Sequence, residues 1–262
     1  MRSPAIGLAL CAAVLLAQTR EAPSYSTASI VNAASSEAGP FAPYSLITIY
    51  GKNLSYVTQS IQAFDMRGLT LPSTLLNTGV RVTIGNLPAA ILYVSPTQIN
   101  ALIPVNAPSR FADVQVGLDA LYGLPARVAI ADSAPELFLS SPDTPIAVRL
   151  DGRLATKDDP ARAGEWVTLY ATGLGRTVPQ PFGLQIASGP ARLERFADFE
   201  VLLDGRPVAG SNIGYAGLAP GFGGLYQINV KLPDDAPADP ELRLGLRDGA
   251  KSRAGLRLPL RR

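Results

Sequence analysis

Short apolar runs punctuate the chain, and Gly, Pro, Asn or Asp residues separate them. In the first half these runs alternate apolar with polar positions or are rich in β-branched residues, and they cover seven segments: 29–32, 45–50, 80–84, 90–94, 98–103, 112–116 and 126–131. Such runs between turn-forming residues are typical of β-strands. No stretch of ten or more residues combines helical periodicity with capping residues. The pattern predicts an all-β protein.

The pattern repeats once along the chain. Residues 45–54 align with 165–174 at an offset of 120, and residues 98–104 align with 227–233 at an offset of 129. Residues 114–118 and 128–130 align with 242–246 and 256–258, both at an offset of 128. A period of this length is far above the roughly 20 to 50 residues of solenoid repeats, so each copy is expected to be a domain with its own core.

About seven strands per copy is the number found in an immunoglobulin-like sandwich. We therefore predict two tandem immunoglobulin-like β-sandwich domains, covering residues 20–140 and 141–262. Two stretches without strand patterning, 65–77 and 155–164, are predicted loops. Loops on a rigid scaffold are common places for ligand contacts.

The first nineteen residues differ from the rest. Arg2 is followed by an apolar stretch from residue 5 to 17 that contains no charge. This stretch is shorter than the roughly 20 residues that a membrane-spanning helix needs, and the pattern is typical of a secretory signal peptide. The alternatives are an uncleaved anchor or a lipoprotein, although Leu10 before Cys11 fits a lipidation site poorly. We expect residues 1–19 to be a signal peptide and the mature protein to be secreted or held in the cell envelope.

The composition agrees with many short strands, because 47% of the residues are hydrophobic, only 17% are charged, and 24 Gly and 23 Pro are present. The net charge is +2, but seven basic and two acidic residues lie in 241–262. That segment could attract anionic surfaces, or it could form strands at 242–244 and 256–258 that have one solvent-exposed face. Its alternation favours the strands.

The inventory of reactive residues excludes several chemistries. The chain has no His, and its single Cys lies inside the predicted signal peptide. A Ser-His-Asp triad, a His-bound metal and thiolate catalysis are therefore excluded from the mature protein. We predict no catalytic site, no cofactor and no metal site.

Two acidic pairs and two glycine-rich segments are candidate sites. Asp158 with Asp159, or Asp234 with Asp235, could act as a glycosidase pair, although neighbouring acids in loops are usually only solvated. These acids with Asp239 could bind calcium, but no EF-hand pattern is present. The segments 214–224 and 172–175 lack the Gly-Lys-Ser/Thr ending of a phosphate-binding loop, and we interpret both as turns.

Aromatic and amide residues recur at equivalent positions of the two copies. Six aromatic residues could form a platform for sugars, namely Tyr50, Tyr93, Trp166, Tyr170, Tyr215 and Tyr226. Because Tyr50 and Tyr170 are equivalent, core packing is the simpler interpretation. Gln98 and Asn100, and likewise Gln227 and Asn229, are expected to share one strand face. We predict that these amides satisfy backbone groups at a sheet edge or loop rather than bind a ligand.

Three segments, 93–101, 169–175 and 217–230, resemble the uncharacterised C-terminal domain family of exported proteins in Solibacter-type Acidobacteria. Each half is also similar to IPT/TIG domains, which implies that the two sandwiches are of the E-set or IPT/TIG-like kind. The resemblance implies export and no established activity or catalytic residues. We therefore predict a non-enzymatic structural or protein-interaction module. Its partner would be a protein or an envelope component, with no nucleic acid and no stable membrane span. The alternative is a carbohydrate-binding module, and a glycosidase or lyase is a remote third.

Overall fold

The structure is a computed structural model that describes residues 20–262, so the predicted signal peptide lies outside the described residues. The described chain is all-β, as predicted, and contains no α-helix. Its only helical segments are four 3₁₀ turns, at Thr27–Ser29, Ala63–Asp65, Phe196–Asp198 and Gly210–Asn212. Within the same residues no helix is long and apolar enough to span a bilayer.

The N-terminal sandwich contains ten strands, and all seven strands predicted for this half are present. They are β1 (Ile30–Asn32), β2 (Leu46–Tyr50), β3 (Gln59–Ser60), β4 (Val80–Ile84), β5 (Leu87–Pro88), β6 (Ala90–Val94), β7 (Gln98–Leu102), β8 (Arg110–Leu118), β9 (Leu121–Tyr122) and β10 (Ala126–Ile130). One antiparallel sheet has the order β1-β2-β7-β6-β3 and the other has the order β10-β8-β4-β5, with β9 paired to β8.

The C-terminal sandwich contains fourteen strands, several of them only two residues long. They are β11 (Glu136–Leu137), β12 (Leu139–Ser141), β13 (Thr144–Pro145), β14 (Ala147–Arg149), β15 (Ala161–Arg162), β16 (Trp166–Thr172), β17 (Thr177–Val178), β18 (Ala191–Leu193), β19 (Phe199–Leu203), β20 (Arg206–Pro207), β21 (Ile213–Leu218), β22 (Tyr226–Lys231), β23 (Leu242–Leu246) and β24 (Leu260–Arg261). The large sheet has the order β11-β16-β22-β21-β18-β17, with β14 also paired to β16. The opposing sheet is β20-β19-β23.

Equivalent strands occupy equivalent places in the two sandwiches. The order β1-β2-β7-β6-β3 corresponds to β14-β16-β22-β21-β18, and β8-β4-β5 corresponds to β23-β19-β20. Even an irregularity is repeated, because the pairing shifts by a residue between Ile91 and Tyr93 and again between Ile213 and Tyr215. The repeat in the sequence therefore corresponds to a repeat in the topology.

The glycine-rich segment 214–224 is only partly the turn that we predicted. Its first residues belong to β21, and the turn proper lies between β21 and β22. Gly221 and Gly224 both have positive φ in this turn. The prediction of a strand at 242–244 is confirmed, since it lies in β23. The predicted strand at 256–258 is not formed, because Arg257 makes only an isolated bridge to Glu241, although Leu256 and Leu258 are buried beside the exposed Arg257.

Alternating side chains from the strands form two hydrophobic cores. One core lies wholly in the N-terminal sandwich and includes Ile47 and Ile49 of β2. The other core fills the C-terminal sandwich but also contains Tyr44, Leu71, Ala90 and Leu102 from the N-terminal sandwich. The second core therefore extends across the junction between the sandwiches.

Hydrogen bonds also cross this junction. The Tyr44 hydroxyl donates to the Gln185 carbonyl at 2.7 Å, and the Leu46 amide donates to the Thr172 hydroxyl at 3.0 Å. The predicted loop 65–77 takes part through two backbone bonds, Leu71 N to Leu184 O at 3.0 Å and Ile186 N to Leu69 O at 2.8 Å. Part of this loop therefore contacts the other sandwich.

Candidate functional site

The outer face of the large C-terminal sheet carries a connected group of polar side chains. Thr168 on β16 lies directly opposite Asn229 on β22, and the Thr168 hydroxyl donates to Asn229 Oδ1 at 3.2 Å. The Gln227 Nε2 group donates to the same oxygen at 2.9 Å. Because these two strands are central in the sheet, the group is held by a fully paired backbone.

The N-terminal sandwich carries the same arrangement at the equivalent positions. The Thr48 hydroxyl donates to Asn100 Oδ1 at 3.1 Å, and Gln98 Nε2 donates to it at 2.8 Å. We call the two groups the outer-face triads, Thr48-Gln98-Asn100 and Thr168-Gln227-Asn229.

Each outer-face triad leaves the Asn Nδ2 group and the Gln Oε1 atom free for a ligand. The Asn Oδ1 accepts both internal hydrogen bonds, so the Asn Nδ2 and the Gln Oε1 have no protein partner among residues 20–262. These atoms are also not among the buried polar atoms without a partner, so they reach solvent. An amide fixed in this way has a defined donor and acceptor direction.

The outer-face triads correct the prediction made for these amides. The two amides of each copy do share one strand face, as predicted, but they lie on central strands and bond to each other and to Thr. The prediction that these amides satisfy backbone groups at a sheet edge or loop was therefore wrong. Thr48 and Thr168 were missed, because the cross-strand register that places them opposite Asn cannot be taken from one strand alone.

The core assignment of the equivalent tyrosines is also wrong. Tyr50 is 44% exposed, and Tyr170 is half-buried on the outer face. The inner face of each strand is filled by the preceding residue, Ile49 in one copy and Leu169 in the other. Tyr226 is the aromatic that lies in the core, where its hydroxyl donates to the Gly175 carbonyl at 2.6 Å and burial raises its pKa.

Two aromatic rings lie against glycines on the outer face of the C-terminal sheet. The Trp166 ring covers Gly214, since its Cζ3 lies 3.1 Å from the place that a Cβ there would take. Tyr215 covers Gly217, and its hydroxyl donates to the Leu218 carbonyl at 2.7 Å and accepts from the Ala191 amide at 3.1 Å. Because glycine has no side chain, the ring can pack directly on the strand backbone at both points.

Basic side chains flank the Trp166 ring. Lys231 is its cross-strand neighbour, and Arg192 donates to the Gly214 carbonyl at 2.7 Å. The Arg192 guanidinium also lies 4.0 Å from the centre of the Phe196 ring, a cation–π contact. None of the strands β14, β16, β18, β21 and β22 contains an acidic residue. This face is therefore polar, aromatic and locally positive.

The acidic pairs considered from the sequence do not assemble into a site. Asp159 pairs with Arg149 and, at 3.0 Å, with Arg153, while its neighbour Asp158 is exposed. Asp234 and Asp235 are exposed as well. Over residues 20–262 no three His, Cys, Asp or Glu side chains are grouped so that they could hold a metal ion. Asp239 instead ties its loop to β24, since its carboxylate accepts from the Leu260 amide at 3.3 Å.

A cleft of about 500 Å³ lies where the two sandwiches meet. Its apolar wall includes Ile130, Leu174, Leu193 and Leu246, and its rim carries both acidic and basic groups: Asp132, Arg176, Glu194 and Arg195. Arg195 is already paired with Asp198 and Asp248, both at 2.8 Å. The cleft therefore has mixed charge and no single polar feature that selects a ligand.

Glu136 is an unusual carboxylate beside the same junction. Its Oε2 is buried without a hydrogen-bond partner. Burial raises the pKa of Glu136 to about 7, against the opposing effect of Arg253, and nearby Glu37 raises it further. Arg253 lies 3.9 Å from Glu37 of the N-terminal sandwich. The junction thus contains a group that titrates near neutral pH.

Comparison with known proteins supports the fold. Residues 29–125 match the family model of the IPT/TIG domain, which supports an IPT/TIG-like immunoglobulin-fold unit in the N-terminal sandwich. No curated protein matches the chain.

Solved structures with a similar arrangement include the surface glycan-binding protein PbSGBP-B from Prevotella bryantii (14% identity, TM-score 0.28, covering 88% of this chain and 41% of that chain). Another is the SGBP-B of the Bacteroides ovatus mixed-linkage glucan utilization locus in complex with a mixed-linkage heptasaccharide (11% identity, TM-score 0.37, covering 94% and 47%). Domains 5-6 of the S-layer protein SbsC are a third (6% identity, TM-score 0.27, covering 91% and 98%). The chain spans less than half of the first two proteins, and all three likenesses are in fold alone.

Proposed function

We propose that this protein is a non-enzymatic binding module that works outside the cytoplasm, either secreted or in the cell envelope. The observation that carries the proposal is the repetition of the outer-face triad. Each sandwich presents the same free amide donor and acceptor on a central, fully paired part of its sheet. Rigidly oriented polar groups on a sheet surface suit recognition of a ligand.

Export in this proposal rests on the predicted signal peptide of residues 1–19. The proposal also divides the mature chain near residue 140 into two sandwiches that arose by duplication. The resemblance of segments 93–101, 169–175 and 217–230 to the Solibacter-type family implies the same exported, non-catalytic role.

A protein partner is one candidate ligand, supported by an apolar patch on the joined loops. Phe182 is 82% exposed and Phe222 is 59% exposed, and Leu69 is 46% exposed beside them. Backbone bonds bring these loops together, because Ile186 N donates to Leu69 O at 2.8 Å and Gly221 N donates to Ala187 O at 2.9 Å. Exposed apolar patches of this kind are typical of protein-interaction surfaces.

A polysaccharide is the second candidate, supported by the aromatic and amide groups around Trp166. Aromatic rings contribute large contact areas, and fixed amides supply hydrogen bonds to hydroxyl groups. This surface does not overlap in sequence with the loop patch, so single substitutions can separate the two candidates.

The test is retention of purified envelope proteins and of a polysaccharide panel on the immobilised chain 20–262. We expect saturable retention of at least one class. Loss of retention in Phe182→Ser/Phe222→Ser would assign it to the loop patch, and loss in Trp166→Ala would assign it to the outer face. A chain that retains neither class, or that cleaves a glycan until Asp159 is replaced by Asn, would overturn the proposed function.

A further inference from the structure

The two sandwiches use one row of their outer faces differently. In the N-terminal sandwich the row at the end of the sheet consists of Leu46, Leu92 and Leu102. Leu102 is fully buried in the core that extends into the C-terminal sandwich, and Leu46 and Leu92 pack against that core. A Cβ on Gly224 of the C-terminal sandwich would lie 2.5 Å from Leu102 Cδ1 and 2.9 Å from Leu46 Cγ, which shows how closely this row is covered.

The equivalent row of the C-terminal sandwich has a different chemistry. The repeat places Trp166 at the position of Leu46 and Lys231 at that of Leu102. Gly214 takes the position of Leu92, inside the repeated irregularity of the strand pairing. We call Trp166, Gly214 and Lys231 the end row. Gly214 is exposed and the other two side chains are half-buried, so solvent reaches the end row.

This comparison within one chain shows which features the fold itself does not require. The N-terminal copy keeps the same strands with three Leu residues, so neither the ring nor the charge is needed to form the sheet. In the C-terminal copy the loss of the Leu92 side chain at Gly214 lets the Trp166 ring lie on the strand. The end row is therefore adapted to something other than a second sandwich.

The charges around the end row indicate what would bind there. Lys231 forms no ion pair with any residue in 20–262. Arg192 is anchored beside the ring by its bond to the Gly214 carbonyl. Two cations next to an aromatic ring, on strands without any acidic residue, create a local positive potential. Because a neutral ligand would leave these charges uncompensated, an anionic ligand fits better.

The neighbouring row adds hydrogen-bonding groups. The free Asn229 Nδ2 and Gln227 Oε1 of the outer-face triad lie along β22 from Lys231, and Tyr170 lies along β16 from Trp166. At roughly 3.4 Å per residue, the four steps from Trp166 to Tyr170 span about 14 Å. The face is therefore long enough for more than one ring of a polymer.

We propose that the end row, together with the adjoining outer-face triad, binds an acidic polysaccharide. A sugar ring stacks on Trp166, a uronate carboxylate pairs with Lys231 and Arg192, and sugar hydroxyls bond to Asn229 and Gln227. This assignment rests on the proposed function, since it names the ligand class of one of the two binding surfaces.

The experiment measures the affinity of the chain 20–262 for polygalacturonate and alginate, with neutral dextran, laminarin and single-stranded DNA as comparison polymers. We expect binding to the acidic glycans that weakens as salt rises, because exposed charge pairs are screened. Trp166→Ala and Lys231→Gln should each weaken this binding about tenfold, corresponding to about 1.4 kcal/mol.

Matched controls come from the other sandwich. Tyr50→Ala removes an exposed outer-face aromatic and Lys52→Gln removes an exposed cation there, and both should weaken binding far less than Trp166→Ala and Lys231→Gln do, because the N-terminal sheet has no exposed end row. Trp166→Phe keeps a ring and the packing on Gly214. It is therefore the variant to use if Trp166→Ala loses binding only because it unfolds. Unchanged unfolding curves for Lys231→Gln complete this control.

Three results would overturn the assignment. These are equal affinity for dextran, equal affinity for DNA, or unchanged glycan binding in both Trp166→Ala and Lys231→Gln. A wild-type chain that still retains an envelope protein under any of these results leaves the proposed function standing. A chain that retains no envelope component of either class overturns both proposals together.

Discussion

Asn100 and Asn229 are the central residues of the two outer-face triads, because each Oδ1 accepts a Thr hydroxyl and a Gln amide at once. A hydrogen bond of this kind stabilises a folded protein by about 1 kcal/mol net, and water can replace part of it at a half-exposed site. The repeated triads therefore contribute modestly to stability while fixing the direction of their free groups.

Replacing either Asn by Ala should lower the free energy of unfolding by about 1 kcal/mol, since two donors lose their shared acceptor. The variants Asn100→Ala and Asn229→Ala control each other, because the two sites have the same partners at closely similar distances. Urea unfolding of the single and double variants measures the effect. The double variant should show the sum of the two losses, as expected for separated sites, and a loss in only one sandwich would contradict the equivalence of the triads.

Glu136 makes stability depend on pH near neutrality. Its pKa is raised by burial from the ordinary 4.5 to about 7, and Arg253, Arg243 and Glu37 are the charged groups that act on it. Between these two pKa values the folded state binds the proton that the unfolded state has lost. The free energy of unfolding therefore falls as pH rises from 4.5 towards 7 and levels off above it.

The variant Glu136→Gln should be more stable than the wild type at pH 8, with a much smaller difference at pH 5, because most of the loss in the wild type occurs between these two pH values. The full shift would correspond to about 3 kcal/mol, and partial solvent access reduces the expected gain to about 1 kcal/mol. Urea unfolding at both pH values checks this, with Asp158→Asn as the control, because Asp158 is an exposed carboxylate that does not act on Glu136. A gain of the same size at pH 5 would show that removal of the charge is not the cause.

At the scale of the strand, alternation on β16 decides the chemistry of both faces. Val167, Leu169 and Ala171 face the core, so Trp166 and Tyr170 face outwards with Thr168 between them. The alternation was visible in the sequence and predicted the strand correctly. The recurrence of Tyr50 and Tyr170 in the two copies led to the wrong prediction of core packing. It was wrong because duplication preserves an outward aromatic residue as readily as an inward one.

Strand β21 depends on Gly217 for its approach to β18. A Cβ there would lie 2.2 Å from the Ala191 carbonyl and 2.7 Å from the Tyr215 hydroxyl. Gly217→Ala should therefore lower the free energy of unfolding by about 2 kcal/mol, as overpacking does, and displace the Tyr215 ring. Gly189→Ala is the control, because no atom lies within 4 Å of its new Cβ. Thermal unfolding measures both variants, and equal Tm values would contradict the close approach.

At the scale of the whole molecule, the shared core couples the two sandwiches. Leu102 of one sandwich lies in the core of the other, and Gly224 lies against it. We expect a single cooperative unfolding transition for the chain 20–262, because exposing this junction costs both sandwiches buried apolar surface.

Gly224→Ala tests this coupling, since its new Cβ would meet Leu102 and Leu46 across the junction. Gly221→Ala is the matched control, because the φ of Gly221 is also positive, 84° against 71° for Gly224. No atom lies within 4 Å of the Cβ that this control would add. The control should cost about 1 kcal/mol for its backbone conformation alone. Gly224→Ala should cost clearly more and split or broaden the calorimetric transition. Equal losses of unfolding free energy in the two variants would mean that the junction accommodates the added Cβ without destabilising the protein.

The sequence predicted the fold well because the strands are short, alternating and duplicated. The seven strands of the N-terminal half lie where their patterns placed them, and the repeat predicted the common topology. The junction could not be predicted, because Leu46 and Leu102 have the sequence pattern of ordinary strand residues. Only the tertiary structure shows that the other sandwich covers them. The outer-face triads could be predicted in part, since Gln and Asn repeat visibly, while their Thr partners depend on register between strands.

The doubling of the outer-face triad has a consequence for multivalency. A short oligomer can occupy only one sheet at a time, and its affinity is that of one face. A polymer long enough to touch both sheets gains a high effective concentration at the second face once it is held at the first. The shared core makes this gain larger, because it keeps the distance between the two faces nearly constant. Under the proposed binding of an acidic polysaccharide, affinity for a matching polymer should therefore rise steeply with chain length.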